Sequence, residues 1–333
     1  MTKINAAITG VGGYVPDYIL NNEELSKMVD TSDEWIVQRV GIKERRILKE
    51  QGKATSDMAV KAIENLLEKT NTPAEDIDLL VCPTITPDML FPATSNIIGL
   101  KAGLKNAFNF DISAACSGFI YGLEIVSRMV ESGAYKKAIL LGAEKMSSMV
   151  DYTDRATSPL FGDGAAAVLI EPVNGDYGIL DRILGYNGNG VQYLHMKAGG
   201  SLNPPTHDTI DRHEHFVFQE GKTVYRFAVS IMTEISDEIM KRNNIMPEKL
   251  AYLIPHQANL RIIEAVGKRL NLGWDQILIN IERYGNTTSA TIPLCLWDFE
   301  KRLKKGDNII LTAFGAGFTW GSIYLKWAYD PKV

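Results

Sequence analysis

Phe110-Asp-Ile-Ser-Ala-Ala-Cys116-Ser-Gly118 joins a short apolar run to a helical pattern, so Cys116 sits where a strand hands over to a helix. Helix N-termini carry partial positive charge and unpaired backbone N–H groups. A thiolate placed there is stabilised, and its pKa falls from about 8.5 toward roughly 3.5–7.5. The position predicts a nucleophile. Taken alone, a single cysteine is equally a small core hydrophobe, so the assignment turns on its partners.

Working outward from Cys116, apolar periodicity predicts an amphipathic helix over residues 56–69, a buried strand over 77–83 and a loop holding Phe91-Pro92. A strand over 107–112 turns at Cys116 into a helix through about 132. Strands over 138–142 and 165–170 follow, the second fed by the turn Gly162-Asp163-Gly164. The second half repeats this order. A helix over 224–243 leads to a strand over 251–255, and the turn Tyr284-Gly285-Asn286 opens a helix ending near 303. Strands over 308–313 and 322–327 are parted by Gly315-Ala316-Gly317.

Superposing the halves sets Cys82 against about His256 and Cys116 against Asn286, with separations of 34 and 30 residues. Two copies of a strand-and-helix unit predict an α/β fold of two mixed sheets, with helices between and outside them. The boundary falls within 171–179, giving halves 1–172 and 173–333. Residues 187–211, rich in Gly, Asn, Pro and His, predict a surface loop or lid.

Loops at corresponding strand ends of two such halves converge, and this brings Cys116, His256 and Asn286 toward one centre. His256, in Ile254-Pro-His-Gln-Ala-Asn259, follows a buried strand and precedes a helix, so its ring projects from a rigid scaffold. By itself it is equally a histidine satisfying backbone groups. Asn286, within Tyr-Gly-Asn-Thr-Thr, is by itself a helix cap.

The composition excludes several classes. The chain has 333 residues, 45% hydrophobic and 23% charged, with net charge −5. Such a field gives no support to nucleic-acid binding or to an anionic membrane surface. Three cysteines, with no CxxC spacing, argue against a disulfide framework or structural zinc and fit a reducing cytoplasm. The first ten residues lack a signal-peptide core, and no segment approaches 18 consecutive apolar residues, so a soluble, unprocessed protein is expected. Gly10-Val-Gly-Gly13 lacks GxGxxG spacing and no GxxxxGK[ST] loop occurs, which leaves nicotinamide and ATP chemistry unsupported. His207-Asp-Thr-Ile-Asp-Arg-His213-Glu-His215 imitates a metal site but reads as a polar loop with no element to fix it.

Six segments together resemble β-ketoacyl-acyl carrier protein synthase III. They are Asp30-Thr-Ser-Asp-Glu-Trp35, Asp111 to Gly118, Phe161-Gly-Asp-Gly164, Pro255-His-Gln-Ala-Asn259, Gly285-Asn286-Thr287 and Phe314-Gly-Ala-Gly-Phe-Thr-Trp320. That family has the thiolase-like, duplicated five-layer α/β/α/β/α architecture, which matches the halves above. The resemblance implies that Cys116 attacks an acyl-CoA thioester carrying a short or branched acyl group. Malonyl-acyl carrier protein then loses CO₂, and its enolate attacks the acyl-Cys116 carbonyl.

On the same resemblance, His256 Nε2 and the Asn286 amide donate to the enolate oxygen, and no metal or cofactor takes part. The nucleophile needs no tightly coupled base if helix placement already supplies the thiolate. Backbone N–H groups of Cys116 and Ala316 form the oxyanion hole. Many relatives carry glycine at the position of Ala316. Trp35 and Arg155 sandwich the CoA adenine, with Arg39 near its phosphates, while Gly221 and Asn259 meet the pantetheine arm. A flat indole and guanidinium suit an aromatic base, although Trp35 alone also reads as the anchor of a helix capped by Thr31-Ser-Asp-Glu34. Phe91 closes the acyl pocket of the neighbouring subunit, implying a homodimer, and Phe314 lines that pocket. Arg226, Arg261, Lys268 and Arg269 make a basic rim for an acidic carrier protein. Alternatives are a polyketide or alkyl-quinolone synthase of the same fold, and a non-enzymatic acyl-CoA-binding protein. A further rival is a cysteine hydrolase, because Cys116 and His256 lie 140 residues apart in the papain order.

Overall fold

A Cβ on Gly12 would stand 2.4 Å from the backbone nitrogen of Leu66, and one on Gly13 would stand 2.4 Å from the Trp297 ring. Neighbouring residues of a strand face opposite sides. The strand Ile4–Tyr14 is therefore pressed between the helix Thr55–Thr70 on one face and the helix Thr291–Phe299 on the other. The glycines that lack dinucleotide spacing serve close packing. This long N-terminal strand, and the strand Gly178–Tyr186, had no counterpart in the periodicity reading.

The computed structural model describes residues 4–331. Its first sheet orders the strands Ile4–Tyr14, Asp163–Asn174, Ala138–Lys145, Leu79–Pro83 and Phe108–Ile112. The second orders Gly178–Tyr186, Thr319–Lys326, Asn308–Gly315 and Tyr252–Pro255. In both, the first two pairings are antiparallel and the rest parallel. A parallel bridge between Leu253 and Ile277 is what remains in the second half of a fifth strand. It occupies the place that Phe108–Ile112 holds in the first half.

Two helices lie between the sheets. Gly118–Glu131 touches strands of both, as does Thr291–Phe299. Phe119, Ile120, Leu123, Val126 and Val130 of the first, with Ile292, Cys295 and Leu296 of the second, join one apolar core with Val81, Leu140 and Val168 below and Ile309, Leu311 and Ile323 above. A helix covered on two sides has to be apolar around most of its circumference. Thr55–Thr70 and Thr94–Lys101 cover the outer face of the first sheet, while Gly221–Arg242 covers the second, with Leu260–Arg269 beside it. The result is α/β/α/β/α.

Three expectations change in detail. The chain crosses between halves at residues 175–177, so a division after 172 cuts the end of the strand Asp163–Asn174. The stretch 187–211 is not a bare loop. It holds a 3₁₀ turn Gly188–Tyr193, a strand Leu194–Met196 paired with Val217–Gln219, and a short helix His207–Asp211 within the supposed polar loop. The helix Asp33–Val40 is capped by Ser32, whose hydroxyl accepts the Trp35 N–H at 3.2 Å, one residue later than the pattern at Thr31 suggests.

Candidate active site

Cys116 lies in the 3₁₀ turn Ala115–Ser117 that opens the helix Gly118–Glu131. Ala115 holds φ +46°, a left-handed conformation that costs a non-glycine residue about 1–3 kcal/mol. The turn is clamped from the other half. Ser117 Oγ donates to the Thr319 carbonyl at 3.0 Å, and Thr319 Oγ1 shares its hydrogen between the Ala316 carbonyl at 3.0 Å and the Ala114 carbonyl at 3.3 Å. Gly315 approaches so closely that a Cβ there would stand 2.8 Å from the Cys116 nitrogen.

His256 follows the strand Tyr252–Pro255, and its N–H prolongs the ladder to the Thr312 carbonyl at 2.8 Å. Its ring is buried. Nδ1 lies 2.7 Å from Thr291 Oγ1, whereas Nε2 has no partner. Asn286 is fixed by the opposite half, for its N–H donates to the Leu160 carbonyl at 2.8 Å and its carbonyl accepts the Gly162 N–H at 3.1 Å. A Cβ on Gly162 would stand 2.3 Å from the Tyr284 carbonyl oxygen, which explains glycine in Phe161-Gly-Asp-Gly164. Asn286 Oδ1 accepts the Thr288 N–H at 2.8 Å. A backbone N–H can only donate, so the amide's Nδ2 is the end left to hydrogen-bond the Cys116 sulfur.

Cys116, His256 and Asn286 line one small cavity with Gly221, Tyr225, Asn259 and Phe314. On its other side Cys116 opens into an apolar cavity of about 370 Å³, walled by Ile85, Met146, Met149, Phe161, Met196 and Val217, with Ala316 and Gly317 at its edge. The nucleophile thus stands between an arm that carries His256, Asn286 and Asn259 among apolar walls and a chamber that is almost wholly apolar. Burial pushes the Cys116 thiol up to about 12, although the hydrogen bond from Asn286 acts the other way. This runs against a thiolate supplied by helix placement: desolvation outweighs the helix terminus and holds the sulfur toward its protonated form. Burial also lowers His256 to about 3, so its ring is neutral.

Other candidates fall into groups. Arg155 Cζ sits 4.3 Å over the Trp35 ring centroid and Arg39 Cζ 5.7 Å from it, forming one cluster at the surface. Asn259 caps the helix Leu260–Arg269 through Oδ1, and Gly221 opens the helix Gly221–Arg242. Arg226, Arg261, Lys268 and Arg269 are all exposed on these two packed helices. Ala316 is absent from the residues with positive φ, so alanine sits there without left-handed strain. Phe314 does not line the apolar chamber. It faces the arm side and packs on Phe318 with ring centroids 4.8 Å apart and planes tilted by 48°. Phe91 is 84% exposed and lines neither cavity of its own chain. Among the described residues no group of three or more His, Cys, Asp or Glu side chains could hold a metal, and no helix is long and apolar enough to cross a membrane.

Sequence reasoning missed Glu144, Thr288, Ser289 and Thr291. The hydroxyl run Thr287-Thr288-Ser289-Ala290-Thr291 after Asn286 was the available signal, since such side chains bond locally to backbone and neighbours. Glu144 gave no signal, because its partners are remote in sequence.

Duplicated sheets with a cysteine, a histidine and an asparagine around one cavity define a thiolase-like condensing enzyme. The patterns of 3-oxoacyl-[acyl-carrier-protein] synthase III and of its C-terminal part match residues 110–188 and 240–327. The chain is 58% identical over 332 residues to β-ketoacyl-[acyl-carrier-protein] synthase III 2 of Bacteroides thetaiotaomicron, covering 100% of this chain and 99% of that one. It is 57% identical to the synthase III of Phocaeicola vulgatus over 99% of both chains. The crystal structure of the Aquifex aeolicus 3-oxoacyl-[acyl-carrier-protein] synthase III superposes with TM-score 0.89 at 39% identity, covering 97% of this chain and 100% of that chain. The chain belongs to the β-ketoacyl-[acyl-carrier-protein] synthase III family, and it is a condensing, acyl-transferring enzyme. The papain-like order of Cys116 and His256 is therefore a coincidence of spacing on a different fold.

Proposed function

We propose that this enzyme starts fatty acid synthesis by condensing a short or branched acyl-CoA with malonyl-acyl carrier protein, and that Cys116, His256 and Asn286 carry the reaction. The carrying observation is the convergence of these three side chains on one cavity that continues to Asn259 on one side and to the apolar chamber on the other.

Cys116 sulfur attacks the acyl-CoA carbonyl as its proton leaves, and CoA departs as the thiol, giving acyl-Cys116. The helix terminus and the Asn286 amide stabilise the sulfur's charge as it forms. The acyl chain enters the apolar chamber and the CoA arm leaves past Gly221 and Asn259, toward Trp35, Arg39 and Arg155. Malonyl-acyl carrier protein follows along the same arm, and loss of CO₂ leaves an enolate whose oxygen meets Asn286 Nδ2 and His256 Nε2. The enolate carbon attacks the acyl carbonyl, whose oxygen is held by the N–H groups of Cys116 and Ala316, and the Cys116 sulfur leaves as a thiolate that takes a proton from water to restore the thiol. Removing one such donor typically costs about 2.7–4 kcal/mol in the barrier.

The exposed Met89-Leu90-Phe91 triplet supports a homodimer in which Phe91 reaches the partner's chamber. The basic face of Arg226, Arg261, Lys268 and Arg269 supports docking of an acidic carrier, and a reducing cytoplasm suits the three free cysteines. A polyketide reading differs only in pathway. The priming β-ketosynthase of the R1128 polyketide pathway is 32% identical with TM-score 0.90, covering 98% of this chain and 97% of that one.

The test is sequential. Incubation with an acyl-CoA, then malonyl-acyl carrier protein, is followed by mass spectrometry of the Cys116 peptide. Acylation and then transfer to a β-ketoacyl carrier product is expected, with His256→Ala and Asn286→Ala stopping at the acyl-enzyme. Prompt hydrolysis, no acylation, or unchanged condensation in either variant would contradict these roles.

A further inference from the structure

The hydroxyl-rich turn after Asn286 reaches both partners of the nucleophile through one residue, Thr288. Thr288 stands at φ +53°, a conformation that a β-branched residue rarely adopts. Its N–H fixes Asn286 Oδ1 at 2.8 Å, and its carbonyl lies 3.1 Å from Thr291 Oγ1. The hydroxyls of Thr287 and Thr288 are buried without partners. That of Thr291 meets His256 Nδ1 at 2.7 Å.

A hydroxyl has one hydrogen, and two acceptors compete for that of Thr291. At 2.7 Å the contact to Nδ1 fits a bond in either direction: Thr291 O–H donates to Nδ1, or Nδ1–H donates to Oγ1 while the hydroxyl donates to the Thr288 carbonyl. A histidine that serves the enolate as a donor requires the first arrangement, with the Thr291 hydrogen directed at Nδ1. A neutral imidazole that accepts at one nitrogen carries its own hydrogen on the other. Nε2, buried in the cavity wall and without an acceptor, is then an N–H waiting for one.

We infer that Thr291 is a positioning residue that keeps the hydrogen of His256 on Nε2, so that the ring meets the enolate oxygen as a donor. The opposite tautomer presents a lone pair to that oxygen and repels it. Thr288 completes the device, because its N–H turns Asn286 Nδ2 toward the sulfur and its carbonyl packs against the hydroxyl that orients His256. This inference rests on the reading of His256 as a donor to the enolate, and it adds the residue that makes the ring one.

The experiment compares Thr291→Val, which keeps the shape and removes the hydroxyl, with Thr291→Ser, which keeps the hydroxyl. Acylation of Cys116 by the starter CoA and decarboxylation of malonyl-acyl carrier protein are measured separately. In the valine variant, decarboxylation and condensation are expected to fall by about 10–100-fold, the usual loss when an orienting partner is removed. Acylation is expected to stay near wild type, and serine is expected to restore the second step. Equal loss in both steps, no loss, or failure of serine to rescue overturns the inference. Nitrogen-15 spectra of the histidine-labelled wild-type enzyme give a readout that needs no variant. A bare Nδ1 and a protonated Nε2 on His256 support the inference, and a protonated Nδ1 overturns it. If the wild type takes up an acyl group but His256→Ala condenses normally, the donor reading itself has failed, which is distinct from a Thr291→Val enzyme that matches wild type.

Discussion

Ser289 Oγ donates to Glu144 Oε1 at 2.7 Å, joining the Asn286 turn of the second half to the end of a strand in the first. Glu144 also accepts from the N–H groups of Ile85 and Thr86 and from the hydroxyls of Thr84 and Thr86. It is fully buried, and desolvation pushes its carboxyl up from 4.5 to about 7 against the pull of these donors. A carboxyl whose folded pKa is raised binds more protons when folded, between 4.5 and about 7. Its contribution to stability is full below 4.5 and is lost as pH rises through 7. Urea unfolding of the wild type should therefore weaken across that window, and Glu144→Gln should remove this part of the slope. The variant should also lose about 1–3 kcal/mol, because its NH₂ group faces donors that the carboxylate had satisfied. An identical pH slope in both proteins would dismiss Glu144 as the titrating group.

The raised thiol of Cys116 has a kinetic signature. Below its pKa the thiolate fraction rises about tenfold per pH unit. Alkylation by iodoacetamide, followed on the Cys116 peptide, should climb with that slope from pH 7 to 9. A preformed thiolate would react at a nearly constant rate across the same range, which would restore the expectation drawn from helix placement alone.

What the sequence disclosed was the chemistry that recurs locally. The strand-to-helix junction at Cys116, the strand ending at His256 and the duplicated order of elements are patterns within short windows. The pairing of Trp35 with Arg155 came from the resemblance to the synthase family, and their residue types suit an aromatic base. Long-range relationships were not readable. The strand Ile4–Tyr14 contains three glycines that lower its apparent β character, and residues remote in sequence explain them: Thr70 at Gly10, the backbones of Ala62 and Leu66 at Gly12, and the Trp297 ring at Gly13. The thiol's protonation escaped because burial is a property of the assembled halves. Thr291 escaped because its partner lies 35 residues away.

The proposed path of the CoA arm makes the Trp35–Arg155 stack a test of substrate affinity. Trp35→Ala removes the flat surface on which an adenine would lie, and cation–π and stacking contacts of this kind are worth about 0.5–2 kcal/mol. KM for the acyl-CoA should rise by roughly 2–30-fold, while the rate at saturating substrate holds, because the contact is remote from the reacting carbonyl. Steady-state rates with acyl-CoA as the varied substrate check this. A fall in kcat at unchanged KM would place Trp35 in the chemistry instead.

Gly12 offers a test of the fold that leaves the site untouched. A Cβ there would stand 2.4 Å from the Leu66 nitrogen and 2.5 Å from the Ala62 carbonyl oxygen, and both are backbone atoms of a helix that cannot swing aside. Gly12→Ala must push the helix Thr55–Thr70 off the sheet, and overpacking of this kind costs about 1–3 kcal/mol. Gly188→Ala is the control, for no atom lies within 4 Å of its Cβ position and its φ lies outside the left-handed region. The control should stay within about 0.5 kcal/mol of wild type. Urea midpoints of the two variants decide the matter, and the specific activity of folded Gly12→Ala should match wild type because the displaced helix contributes no residue to either cavity beside Cys116.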